Sequence, residues 1–260
     1  MRTDKQKMYA QNLLAKAHLA ATLIRESSIN QDDIVYEIGP GTGRLTIELA
    51  KQAKKVITIE KDYSLYVKLK KKLTSYHNIV LYNDDFLSFK INEPVYKIFA
   101  NVPFNITSAV MRRIFSGGNL PVETYLILQK EAAMKFTGTG KTTQVSVLIK
   151  PWFKLRIIRF FKRTDFCPMP EVDIVMLHIE RREHSLISPL HKSIYDKFVK
   201  FGFGAWKKDL KLTYKNFFSH NQWKKLAHDL EFPVHTKPSE LRFSQWLGLF
   251  EFFIRFRCRH

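Results

Sequence analysis

Residues 34–43 read Ile-Val-Tyr-Glu-Ile-Gly-Pro-Gly-Thr-Gly, and few folds accept that order. The first five are short and β-branched, without the clean alternation of a half-solvated strand, so both faces of this strand must be covered. The glycines that follow at alternate positions let the backbone turn tightly and come close to a ligand. Helical spacing then resumes over residues 42–50. A buried parallel strand, a tight turn and a helix predict the opening of an α/β domain.

The same pattern recurs downstream. Residues 56–59 form a second β-branched run ending at Glu60, and residues 63–73 have helical spacing with a lysine-coated outer face. Residues 79–82 lead to Asp84-Asp85, and residues 96–100 deliver Asn101. Residues 124–128 make a fifth strand, followed by a charged helix from Lys130 and a Gly-Thr-Gly loop at 138–140. Ligands of such sheets lie beyond the carboxyl ends of the strands. Gly39, Glu60, Asp85 and Asn101 all fall at those ends and are expected to share one rim. Ahead of the sheet, Leu13, Leu14, Ala17, Ala20, Ala21 and Ile24 recur on one helical face. Residues 152–161 and 174–179 predict a closing antiparallel pair, with Pro168 and Pro170 breaking the connection.

After residue 183 the β-branched runs stop. Residues 184–260 carry 14 Lys+Arg against 6 Asp+Glu, a surplus of +8, and helical spacing recurs at Tyr195, Phe198, Val199 and Phe203 and again at Trp246, Leu247, Phe250 and Phe253. Two domains are expected: residues 1–183, α/β, and residues 184–260, small, all-helical and basic. The whole chain carries +19 over 260 residues, which favours a polyanionic partner, RNA ahead of a membrane surface. Lys207, Lys208, Lys211 and Lys215 lie at helical spacing and are candidate phosphate contacts. The basic run from Lys154 to Arg163 suits RNA contact and protection of a sheet edge equally well. Cys167 and Cys258 stand alone, so neither a disulfide framework nor a metal site is expected. No apolar leader opens the chain, and Glu251 and Arg255 interrupt its most apolar late stretch, residues 246–256, so a cytoplasmic protein with no membrane span is expected, and, with no obvious oligomer seam, a monomer.

The chemistry gathers at the predicted rim. A dinucleotide fingerprint wants its third glycine where Arg44 stands, which argues against pyrophosphate binding and a nicotinamide dehydrogenase. Gly39 and Gly41 allow close approach, the Glu60 carboxylate suits two ribose hydroxyls, and Asp85 suits an adenine amine; Asp84 reads as a solvated turn. A nucleoside without pyrophosphate fits, and S-adenosylmethionine is one. The loop Asn101-Val102-Pro103-Phe104 then offers a side-chain amide oxygen, a backbone oxygen, a rigid turn and an exposed aromatic at the fourth strand end. Two acceptors can take both hydrogens of an adenine N6 amine and draw that nitrogen out of conjugation, while Phe104 stacks on the flipped base. Alignment supplies the catalysis, so no catalytic His or Cys is expected.

These residues, with Gln11-Asn12-Leu13-Leu14 and Phe166-Cys167-Pro168-Met169-Pro170-Glu171-Val172-Asp173, resemble the Erm family of ribosomal RNA adenine N6-methyltransferases. That family is related to the small-subunit adenine dimethyltransferases, and the likeness runs nearly end to end. It implies a Rossmann-like class I methyltransferase sheet with a small C-terminal all-helical domain, and S-adenosylmethionine as cofactor. The implied cofactor contacts are Asn12, Leu14, Gly39, Gly41, Glu60, Asp85 and Asn101, and the implied catalytic loop is Asn101, Val102, Pro103 and Phe104. The implied reaction is mono- or dimethylation of one adenine in the peptidyl-transferase loop of 23S ribosomal RNA, as protein-free or nascent large-subunit RNA. Methylation there blocks macrolide, lincosamide and streptogramin B antibiotics. Asn12 favours the Erm branch, because the small-subunit relatives usually carry His there. Leu13 replaces the family's usual Phe, and Phe104 its usual Tyr, a change that keeps the ring but removes a phenolic hydrogen bond. The competing readings are a small-subunit dimethyltransferase serving ribosome assembly and a catalytically idle RNA-binding relative; the intact Asn101 loop speaks against the second.

Overall fold

The structure, a computed structural model, describes residues 13–204 and 209–257. The contact expected of Asn12, the lysines Lys207 and Lys208, and Cys258 lie outside the described residues. Along the chain, β1 (Leu13–Leu14), α1 (Ala17–Arg25), β2 (Ile34–Ile38), α2 (Arg44–Gln52), β3 (Lys55–Glu60), α3 (Tyr63–Lys72) and β4 (Ile79–Asn83) come first. Then follow β5 (Lys97–Asn101), α4 (Thr107–Ser116), β6 (Glu123–Gln129), α5 (Lys130–Thr137) and α6 (Gln144–Ile149). The strands β7 (Phe153–Phe160), β8 (Phe166–Cys167) and β9 (Ile174–Arg181) precede the helices α7 (Lys192–Gly204), α8 (Leu210–Thr213), α9 (His220–Asp229) and α10 (Phe243–Arg257).

Seven strands form one sheet in the order β4-β3-β2-β5-β6-β9-β7. Strands β2 to β6 pair in parallel, and β9 runs antiparallel to β6. The chain winds outward from β2 through β3 to β4 and then returns to place β5 on the other side of β2. That reversal is a topological switch point, where open α/β sheets hold their ligands. Helices α1 and α2 bury Leu19, Leu23, Ile24, Leu45 and Leu49 in one cluster with Val35, Val56 and Phe99 of the sheet. Strand β2 has helical cover on a core side and neighbours on both edges, which is why its sequence lacks alternation.

Leu13 and Leu14 depart from expectation. Their apolar spacing matches the helix that follows, yet they form β1, paired with β8 through Leu13–Cys167 and Leu14–Phe166, and the helix begins only at Ala17. Helix α2 likewise starts at Arg44, because Gly43 takes a left-handed conformation (φ 76°) and ends the turn. A Cβ there would stand 2.8 Å from a Leu69 methyl group, so the turn packs against α3 at a distance other residues cannot reach.

At the amino ends of the strands, Lys97 is the hub of a charged cluster. Its ammonium lies 2.9 Å from Asp33 and 3.0 Å from Glu123, and donates to the Ser28 carbonyl at 2.9 Å. His178 meets the other oxygen of Glu123 at 3.1 Å. Burial opposes ionisation of Glu123, but the Ser28 hydroxyl and Lys97 outweigh it and hold the carboxyl below its usual range. A depressed folded pKa stabilises above the unfolded pKa and is lost as pH falls through the folded one. Replacing Lys97 by Met leaves two carboxylates facing each other, and breaking a buried pair in this way costs about 3 kcal/mol. Urea melts of Lys97→Met at pH 7 are expected to show a loss of that size, and the wild-type advantage is expected to shrink on acidification below the ordinary carboxylate range.

The chain divides into two compact units, Met1–Ala133 with Leu155–Arg181, and Met134–Lys154 with Arg182–His260. The single cut expected after residue 183 therefore differs from the observed division. Residues 134–154 join the helical unit because Val147 of α6 is fully buried in its core, and the Tyr195 hydroxyl donates to the Val147 carbonyl at 2.9 Å. Strand periodicity at residues 124–128 and 152–161 hides that excursion. The helical unit is built on Tyr195, Phe198, Tyr214, Trp223, Trp246 and Phe250, all buried. Trp223 and Trp246 donate their indole N–H groups to the carbonyls of Val234 and Pro238, so neither ring carries an unmet donor into the core.

Candidate active site

The register of the sheet brings the predicted strand ends to one level. Ile38 pairs with both Ile59 and Ala100, Glu60 with Asn83, and Asn101 with Ile127. At the switch point between β2 and β5 lies a solvent-open cleft. Leu13, Leu14, Gly39, Pro40, Thr42, Arg44, Leu45 and Asn101 through Phe104 line it. Gly39 has φ 63°, and the space where its Cβ would stand is open, so main chain faces the cleft directly.

Glu60 sits just behind this wall, 3 % exposed. One carboxylate oxygen accepts from the Gly41 N–H at 3.3 Å and the other from the Asp62 N–H at 2.8 Å. Burial raises its pKa against the pull of those two N–H groups. A carboxylate offers about four acceptor sites, and with the Lys61 N–H also drawn to it one remains for a hydroxyl donor. The Glu60 side chain is thereby fixed in place by the glycine loop it serves.

Asn101 is the last residue of β5 and half-buried. Val102 is 1 % exposed and donates its N–H to the Ile127 carbonyl at 3.0 Å, which ties the loop to β6. Pro103 (φ −57°) starts a single 3-10 turn, Phe104–Ile106. Phe104 was expected as an exposed aromatic; it is half-buried, because one side of the ring rests on the core cluster that contains Leu14 and Phe166 while it also lines the cleft.

Asp85 stands at the end of β4 but does not line the cleft. Its carboxylate is bound by the Lys61 ammonium at 2.7 Å and by the Leu87 N–H at 2.9 Å, and these lower its pKa in that order. Phe86, the next residue, is 4 % exposed and borders a separate cleft with Tyr96, Ile98 and Arg113. The turn after β4 folds its ring inward, which strand-end placement alone does not reveal.

Arg44 was read from the sequence only as a departure from a dinucleotide fingerprint. Its guanidinium donates to the carbonyl of Leu14 and, at 2.7 Å, to that of Ala15. It fastens β1 across the mouth of the glycine turn, so Leu14 becomes a wall of the cleft. The signal was an arginine opening a helix, where acidic or neutral residues are favoured. Charged hydrogen bonds are worth about 1.5–3 kcal/mol where they are screened from water, and less at this exposed position. Arg44→Ala is expected to weaken S-adenosylmethionine binding roughly three- to tenfold by calorimetry, with little change in melting temperature of the ligand-free protein.

Beneath the loop lies Glu37, 1 % exposed, with Thr46 of α2 and Thr58 of β3 as its polar neighbours. None of the four side-chain oxygens makes a well-formed hydrogen bond. Burial pushes the Glu37 carboxyl up to about 7, the threonine hydroxyls pull it down, and Glu60 adds repulsion. A carboxyl whose folded pKa exceeds its unfolded value stabilises at low pH, and that contribution is lost as pH rises through the folded pKa. Glu37→Gln is expected to stabilise the protein by about 3 kcal/mol at pH 8 and to change little at pH 4; equal effects at both pH values in denaturant titrations would count against the assignment.

The sequence model of the ribosomal RNA adenine dimethylase family matches residues 2–255. The chain belongs to that family. This dimethylase relative is 28 % identical over 226 residues to the ribosomal RNA small subunit methyltransferase A of Staphylococcus haemolyticus, covering 82 % of this chain and 76 % of that protein. It is 23 % identical over 263 residues to an rRNA adenine N-6-methyltransferase of Bacillus licheniformis, covering 100 % and 91 %. Its fold is similar to the crystal structure of the 23S rRNA methyltransferase ErmE, with TM-score 0.86 and 26 % identity over 92 % of this chain and 98 % of that one. A dimethyladenosine transferase from Plasmodium falciparum gives TM-score 0.74 and 25 % identity, covering 94 % and 98 %. The chain is therefore an rRNA adenine N6-methyltransferase with a Rossmann-like sheet, and its cofactor is S-adenosylmethionine. The residues present fit that group: an open main-chain wall at Gly39, a buried carboxylate with an acceptor site to spare at Glu60, and no third glycine for a pyrophosphate. Among the described residues no cluster of acidic, histidine and cysteine side chains could hold a metal ion, and no helix is long and apolar enough to cross a membrane.

Proposed function

We propose that this methyltransferase modifies a single adenine of 23S ribosomal RNA, in the peptidyl-transferase loop, and so protects ribosomes from macrolide, lincosamide and streptogramin B antibiotics. The supporting observation is the similarity to ErmE over nearly the whole of both chains, at TM-score 0.86 against 0.74 for the dimethyladenosine transferase. The 28 % identity to small-subunit methyltransferases supports the alternative, methylation of small-subunit RNA during ribosome assembly.

In this reading Leu14, Gly39, Gly41 and Glu60 hold S-adenosylmethionine, with Asn12 and Asn101 at its edges and Glu60 taking a ribose hydroxyl. Asp85 serves the adenine amine once it is shared with Lys61. When bound, the cofactor supplies a methyl group on a sulfonium centre. Asn101 accepts one hydrogen of the substrate N6 amine through its side-chain oxygen, and the Val102 carbonyl accepts the other. The two acceptors fix where the nitrogen lone pair points, which is worth much for a weak, nearly non-basic nucleophile. Pro103 keeps the loop rigid, and Phe104, braced from behind by the core, presents its ring to the flipped base. The basic helical unit is the RNA-docking part, and the protein acts as a monomer in the cytoplasm, where its substrate is made.

Purified protein with labelled S-adenosylmethionine is expected to methylate protein-free 23S RNA at one adenine, and expression is expected to let a macrolide-sensitive host grow on the drug. Labelling confined to small-subunit particles would assign the chain to the assembly branch. Asn101→Ala is expected to lower transfer roughly a hundredfold, the scale for removing a preorganised polar contact at a reacting centre, while calorimetric cofactor binding changes little.

A further inference from the structure

Most aromatic rings of the helical unit are core, but Phe201 and Phe217 are 48 % and 40 % exposed, and Leu212 is 47 % exposed. The two rings stand edge to face, 5.3 Å apart at 90°. Both lean on the buried ring of Tyr214, at 5.7 and 5.9 Å, and the Tyr214 hydroxyl is anchored to the Phe198 carbonyl at 2.7 Å. Phe253 of α10 backs Phe217 at 5.4 Å. The exposed rings are thus seated on a fixed base, and little side-chain entropy is lost when something covers them.

Their surroundings are cationic. Lys197, Lys200, Phe201 and Gly204 are all exposed and fall at the spacing of one outer face of α7. Lys215 and Asn216 are exposed immediately before Phe217. Lys211 and Lys224 together depress the proton affinity of His220, which shows how concentrated the positive field is along this segment. The acids nearby do little to cancel it. Asp196 is half-buried, its carboxyl raised by burial, and Asp209 is occupied by the Lys211 N–H at 2.8 Å and by His235 at 2.7 Å.

We propose that Phe201 and Phe217 form a stacking platform for unpaired bases of the RNA substrate, with Lys197, Lys200, Lys211 and Lys215 taking the adjoining phosphates. Paired aromatics inside a lysine rim suit single-stranded nucleic acid, because every base has a π-face and every phosphate a charge. An apolar partner surface would gain nothing from the lysines. The platform holds the strand without choosing its sequence. This inference rests on the RNA-modifying reading above, and adds a binding contact distant in sequence from the methyl-transfer loop.

The test uses the full chain and two short RNA probes of equal length, one unpaired strand carrying 2-aminopurine and one abasic strand with the same phosphates. Wild-type protein is expected to quench the 2-aminopurine and to bind the base-bearing strand more tightly. Phe201→Leu/Phe217→Leu keeps an apolar side chain at each position but cannot stack, and is expected to lose affinity for the base-bearing strand by tenfold to a hundredfold, on the order of one to two stacked bases. Its affinity for the abasic strand should not change. Phe201→Tyr/Phe217→Tyr is expected to retain both. Equal losses on the two probes, or no loss on either, would overturn the platform. So would sedimentation showing that the wild type self-associates and the leucine pair does not, which would assign the rings to a second copy. If the platform fails while wild-type methylation of RNA persists, the functional reading stands alone; if wild type transfers no methyl group to any RNA, that reading fails first.

Discussion

Everything at the candidate site depends on the unshifted parallel pairing of β2 with its two neighbours. Ile38 faces Ile59 on one side and Ala100 on the other, so three chain segments leave the sheet at the same height. A slip of one residue in either pair would exchange the strand's two packed faces and displace Glu60 or Asn101 from the rim. Register is enforced by burial: Val35, Ile38, Val56, Ile59, Phe99 and Ala100 are all at most 3 % exposed. The core of the first unit is therefore what sets the distances of the chemistry.

Polar groups refine that placement at two depths. Outside, Arg44 draws the carbonyls of Leu14 and Ala15 over the glycine turn and makes a wall from a two-residue strand. Inside, Glu37 carries a carboxylate with no good partner beneath the same turn, beside Glu60. Retaining such a residue is unfavourable for stability near neutral pH, and groups of that kind collect where a site handles charge. A sulfonium cofactor is a charge of the opposite sign.

Much of this arrangement is legible in the sequence. Gly39, Glu60 and Asn101 could be placed because each ends an apolar run short enough to be a strand, and strand ends of a parallel sheet must share a rim. Contacts made across sequence were not legible. Leu13 and Leu14 have the spacing of a helix, and only their pairing with Phe166 and Cys167 makes them a strand. Arg44 acts on carbonyls 30 and 29 residues away, which no local pattern encodes. The inward ring of Phe86 and the half-buried ring of Phe104 likewise depend on neighbours that periodicity does not name.

Residues 134–154 belong to the helical unit although strands of the first unit lie on either side of them in sequence. The chain therefore passes between the two units three times, and no single cut yields both intact. Among relatives, exchange of the helical unit by one crossover would strand Val147 and its buried neighbours without their partners. Inheritance of the helical unit is thereby tied to inheritance of the sheet, and the two would diverge in sequence together, as one lineage, more readily than they could be shuffled.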